Sequence, residues 1–172
     1  MKQSALVAWA LAAAAAPACA TAPPPSVRAG EVERIQCDSE SAGVNEVHVL
    51  QTASVVRVEP LYSHVLTGNN GAEERVDGVK LLIRPPEGVT PERMTRILQC
   101  HDARALLGKV DRSAFPDDPF WLPGTWVSVE VRAESGNYAV ILEADDVTTN
   151  LRLAERAKIF AQAHPLPLPS VQ

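Results

Sequence analysis

Between Val79 and Ala163 the spacing of apolar residues changes period three times, from two to 3.6, back to two, and again to 3.6. Side chains switch faces at every residue of a strand but return every 3.6 residues in a helix, so such a chain must alternate the two. Val79–Arg84 reads as a strand stopped by Pro85-Pro86, which cannot donate to a sheet ladder. Thr90 then offers an N-cap, Pro91 suits the first helical position and Glu92 suits the positive helix end. Met94, Ile97, Leu98, His101 and Ala105 fall on one side of that helix, and Gly108 can end it. Thr125–Arg132 places Val127, Val129 and Val131 on one face. Glu134-Ser135-Gly136-Asn137 turns the chain, and Tyr138–Ala144 returns as the hairpin partner. Asp145 or Asp146 can cap a second helix to about Ala163, with Leu153, Ala154, Ala157, Phe160 and Ala161 inward. Pro165, Pro167 and Pro169 prevent its continuation.

Upstream, Val44–Leu50 and Ser54–Glu59 read as strands and Leu61–Leu66 as a further extended piece. Gly68-Asn69-Asn70-Gly71 reads as a turn, because Gly and Asn accept positive φ. The order strands, helix, hairpin, helix predicts an α+β fold: a two-layer sandwich with two helices on one face of an antiparallel sheet.

The N-terminus supplies an address. Lys2 precedes an apolar run, Ala5–Ala16, that ends in Pro17-Ala18-Cys19-Ala20. A positive end, a short apolar core and small residues at the cut make a secretory signal over residues 1–18. The run is too short for a bilayer span of roughly 20 residues. Ala18-x-Ala20 would release a chain beginning at Thr21, whereas a cut before Cys19 resembles bacterial lipoprotein processing. The leader departs from that pattern in carrying Ala16 and Pro17 ahead of the cysteine. The resemblance implies a lipid on Cys19 and, with Ala20 rather than Asp following, an outer membrane address facing the periplasm. The alternative is a soluble periplasmic or secreted protein. Residues 19–30, with Pro23-Pro24-Pro25, read as an extended Pro-rich tether, 31–164 as a single domain and 165–172 as a Pro-rich tail.

Without Cys19, Cys37 and Cys100 remain as an even pair in an oxidising compartment. A disulfide between them closes a loop of about 60 residues and is worth on the order of 4 kcal/mol by chain entropy. It would tie the start of the domain to the first long helix. Net charge is −5, with both signs mixed along the chain. No basic stripe exists, so nucleic acid is excluded as a partner.

Cys100-His101 is the one candidate site of chemistry. The two lie about 100° apart on the helix, so they do not face each other as a nucleophile pair. Thiolate and imidazole suit Cu(I) or Zn(II), with Cys37, His48 or His64 as further ligands, but no metal-ligand spacing is present. The expected role of His101 is a buried side chain bonded to a carbonyl or an Asp. Asp117-Asp118 matches no calcium loop and reads as a solvated loop. Phe115, Phe120, Trp121 and Trp126 either cover an open end of the core or, through Phe120 and Trp121, anchor a partner. Ser113 sits in no nucleophile elbow and four scattered histidines make no triad.

The segment from Val79 to Phe160, with its Ile97-Leu98-Gln99-Cys100-His101-Asp102-Ala103-Arg104 helix, resembles uncharacterised secreted or lipidated proteobacterial proteins. That resemblance carries no activity. The expectation is a non-enzymatic, periplasm-facing binding or structural module with no cofactor. It would meet the membrane through its lipid and a protein partner in the envelope. A soft-metal protein using Cys100 is the alternative.

Overall fold

The computed structural model describes residues 22–37, 48–67, 71–110 and 118–166. The leader, Cys19, Asn69, Asn70, Ser113, Phe115 and Asp117 lie outside them. Four strands, β1 (Val55–Thr67), β2 (Gly71–Ile83), β3 (Ser128–Glu134) and β4 (Asn137–Glu143), form an antiparallel sheet in the order β1-β2-β4-β3. Helices α1 (Pro25–Gln36), α2 (Pro91–Leu106) and α3 (Val147–Ala163) complete the labelled elements. The architecture is the α+β sandwich expected, with α2 against β3 and α3 against β2 and β1. Among the described residues no helix is long and apolar enough to cross a membrane.

The core is one face of the sheet against two helix stripes. Val79, Leu81, Ile83, Val129, Val131, Val140 and Leu142 meet Met94, Leu98, Leu153, Ala157 and Phe160. The opposite face carries charge instead. Lys80 bridges Glu59 at 2.9 Å and Glu134 at 3.1 Å, and those carboxylates hold its ammonium pKa above the ordinary value.

The helix ends follow their capping chemistry. Thr90 accepts from the Arg93 N–H, with Pro91 at the start of α2, and Asp146 rather than Asp145 accepts from the Thr149 N–H. The β3–β4 turn places Ser135 and Gly136 at φ 50° and 78°, the left-handed pair that a two-residue hairpin requires.

Three expectations are corrected. Residues 48–52 are helical rather than part of a strand, and Val49 and Leu50 are both buried. Successive strand residues face opposite ways, so two neighbours sharing one core fit a helix better. Ser54–Glu59 and Leu61–Leu66 form the single strand β1, which runs through Pro60. The tether is shorter than read. Pro25 opens α1, where a missing N–H costs nothing, so residues 25–30 are helical. This helix packs on α2 and buries Ala29.

β2 is also longer than its apolar stretch. It pairs with β4 only from Val79 to Ile83, and residues 71–78 pair with β1 alone as a two-stranded arm beyond the sheet. Gly78 stands where the arm leaves. A Cβ there would lie 2.4 Å from the Leu142 carbonyl oxygen, so only glycine lets the two backbones approach.

Candidate functional site

Three consecutive residues of α2 point in three directions, as the 100° step per residue dictates. Cys100 faces α1 and forms a disulfide with Cys37, their Cα atoms 5.7 Å apart. His101 faces the loop before β3 and shares a hydrogen bond between its Nε2 and Asp118 Oδ2. Asp102 faces β3 and accepts from the Val127 N–H at 3.2 Å. His101, Asp102 and Asp118 are all buried, at 3%, 0% and 5% exposure.

Asp118 organises its loop. Its Oδ1 accepts from the Phe120 N–H at 2.8 Å, a turn closed by the side chain two residues back. Arg156 on α3 donates from Nη1 to the carbonyls of Asp118 and Trp121 at 3.1 and 3.2 Å. Phe120 meets Phe160 edge to face, with centroids 5.5 Å apart, and Phe160 stacks on His164. The loop is thus strapped to both helices by polar bonds at one point and aromatic contact at the next.

Asp102 is the electrostatic anomaly. Burial pushes its carboxyl up to about 8, opposed by the Val127 N–H and reinforced by the Asp118 carboxylate nearby. Its Oδ1 has no hydrogen-bond partner among the described residues. A carboxyl that keeps its proton at neutral pH avoids placing a second negative charge beside Asp118.

Asp102 also belongs to a row that sequence reasoning missed. Thr95, Gln99 and Asp102 lie on one face of α2, beside the outer edge of β3. Thr95 Oγ1 accepts from the Val131 N–H at 3.0 Å, and Gln99 Nε2 donates to the Val129 carbonyl at 3.2 Å. With Asp102 on Val127, side chains satisfy the edge at every second residue. The i, i+4, i+7 spacing was the available signal, but polar residues on a helix read as solvent-facing until a strand edge is placed beside them.

Comparison with known proteins gives no match among family models, curated proteins or solved structures. The chemistry therefore rests on the geometry.

The disulfide is formed as expected, and His101 holds the buried, Asp-bonded role read for it. The same disulfide corrects the soft-metal set: the Cys100 sulfur is bonded to Cys37 and is no thiolate ligand. His48 and His64 are exposed, the latter on the arm opposite Glu74. Among the described residues no group of three His, Cys, Asp or Glu is placed to hold a metal ion. Asp118 is buried rather than solvated, because an imidazole 17 residues away supplies its partner. Phe120 and Trp121 are 2% and 8% exposed, so they close the core and cannot anchor a partner. His101 and Asp118 have the pairing of a base and its orienting acid. Their enclosure makes them a structural clasp between α2 and the loop.

Proposed function

We propose that this chain is an exported, disulfide-stapled binding or structural module of the cell envelope, held to a membrane by lipid on Cys19. The observation that carries the reading is the Cys37–Cys100 bond in a chain with a secretory leader, since structural disulfides persist in oxidising compartments. The bond fastens α1, the first helix after the leader, to the central helix of the fold. A lipid on Cys19 would leave only residues 20–24 before α1, a span of at most about 18 Å. Such an anchor would hold the domain close to the bilayer surface. The buried His101–Asp118 pair serves the fold in this reading, and a protein partner would engage a surface other than Phe120 and Trp121.

An intact mass of the protein recovered from its own envelope, under non-reducing conditions, tests both parts. A lipid increment at Cys19 together with two fewer hydrogens than the dithiol is expected. A mature chain beginning at Thr21 would remove the anchor from the proposal, and free thiols at Cys37 and Cys100 would remove the staple.

A further inference from the structure

Helix α1 is loosely joined to the rest of the fold. It packs against α2, and among the described residues none of its side chains enters the core. Ala29 is its one buried residue, while Val27 and Ile35 are 56% and 60% exposed. Pro24 supplies no side-chain cap to its first turn. Two surface ion pairs reach it, Lys109 to Glu33 at 2.6 Å and Arg28 to Asp145 at 3.6 Å, and such pairs contribute little. An isolated helix of 12 residues is marginal in water, so α1 relies on its docking. Burial of one alanine does not offset the ordering of those residues.

What fastens it is the bond from Cys37, just past its end, to Cys100 on α2. Cys100 and Ala103, about one turn apart on α2, are buried yet lie outside the core cluster. The core of sheet, α2 and α3 is therefore complete without α1. The two sulfur-bearing residues differ in access, because Cys37 is half-buried and Cys100 is buried. Thiol–disulfide exchange requires an incoming thiolate to reach one of the two sulfurs, and Cys37 carries the more accessible one.

We propose that the Cys37–Cys100 disulfide is a latch opened by a dithiol. Its reduction releases α1 from α2 and leaves the sheet, α2 and α3 folded. A thiolate of the reductant bonds to Cys37 Sγ and the Cys37–Cys100 bond breaks. The Cys100 sulfur leaves with the electron pair and takes up a proton. The reductant's second thiolate then attacks its partner sulfur in the mixed disulfide and frees Cys37, which is protonated in turn. The protein gains two electrons and two protons, and the dithiol becomes a disulfide. Where Cys19 carries the lipid proposed above, release adds the 12 residues of α1 to the leash, up to about 40 Å when extended. That consequence rests on the lipid, whereas the latch does not.

The test is amide hydrogen exchange with backbone NMR on the full mature chain, oxidised and then reduced by dithiothreitol. Reduction is expected to accelerate exchange of residues 29–36 about tenfold or more, while β2 and β4 amides keep their folded chemical shifts. Reoxidation is expected to restore the protection of α1. The Cys37→Ser, Cys100→Ser double variant is expected to match the reduced chain with no reductant present. Equal exchange of residues 29–36 in oxidised and reduced protein would overturn the latch. Collapse of the β4 shifts on reduction would also overturn it, since the bond would then hold the whole fold. A mature chain beginning at Thr21 would remove the longer leash and leave both readouts of the latch in place.

Discussion

β3 and β1 both end the sheet, but their edges are closed by different chemistry. At β3 a helix lies alongside, and Thr95, Gln99 and Asp102 reach the backbone of Val131, Val129 and Val127. At β1 the backbone itself begins the closure, through the His164 carbonyl. A helix rises about 1.5 Å per residue and a strand about 3.3 Å, so side chains on a helix keep step with an edge for only a few rungs. Three rungs are what α2 supplies. The β3 edge therefore depends on the placement of a helix, whereas the β1 edge meets the segment leaving α3 at the Val55–Pro165 bridge.

The strongest way to disturb the first arrangement is to release the helix that braces α2. Cys37→Ser with Cys100→Ser is expected to lower stability by about 3–4 kcal/mol. Thermal unfolding would show this as a fall of roughly 10 °C in Tm for a domain of this size. Val131 amide protection should persist at low temperature, because the side chains that cover the edge belong to α2. Loss of that protection would show that α1, and not α2 alone, seals β3.

On the β1 side, Gly78→Ala strikes the root of the arm. Its methyl group would meet the Leu142 carbonyl, and a destabilisation of about 3 kcal/mol is expected in urea titration. An unchanged midpoint would mean that the arm shifts freely against β4.

Asp102 gives the comparison a pH dependence. Its folded-state pKa of about 8 lies above the ordinary 3.8, so between those values the folded chain holds a proton that the unfolded chain has released. Stability from this group therefore falls as pH rises from about 4 to 8 and is flat above. Asp102→Asn should remove that slope, so that the variant gains stability relative to the parent as pH rises from about 4 to 8. Parallel pH profiles for the two proteins would show that Asp102 is ionised in the fold.

Smaller effects resolve the individual rungs. Gln99→Ala leaves the Val129 carbonyl without its side-chain partner and is expected to cost about 1 kcal/mol in denaturant unfolding. Lys109→Ala cuts the exposed ion pair that joins the end of α2 to Glu33 on α1. It should stay within about 0.5 kcal/mol of the parent. A larger loss would assign part of the α1 docking to charge rather than to the disulfide and packing.

Elements whose signals are local were legible in the sequence. Thr90-Pro91 starts α2, Asp146 starts α3, and Ser135-Gly136 turns the hairpin, each through groups only a few residues apart. Residues whose partners are distant were not. Arg156 donates to the carbonyls of Asp118 and Trp121, segments more than 30 residues away. Asp118 reads as a loop acid until His101 arrives beside it. The aromatic loop illustrates the same limit, because Phe120 could be anchor or plug until Phe160 and Arg156 met its segment.

The sequence by itself determined the alternation of strand and helix, the caps and the tight turn, and it offered Cys37 with Cys100 as a pair once Cys19 is set aside. The elements follow from periodicity and backbone sterics, properties of short windows. Tertiary structure alone decided that Pro25 begins a helix, that 48–52 is helical and that β2 outruns the sheet. It also set Thr95, Gln99 and Asp102 along the β3 edge and buried Asp118. A polar group acquires a role only when another segment supplies its partner, and that proximity depends on the packing of the whole chain.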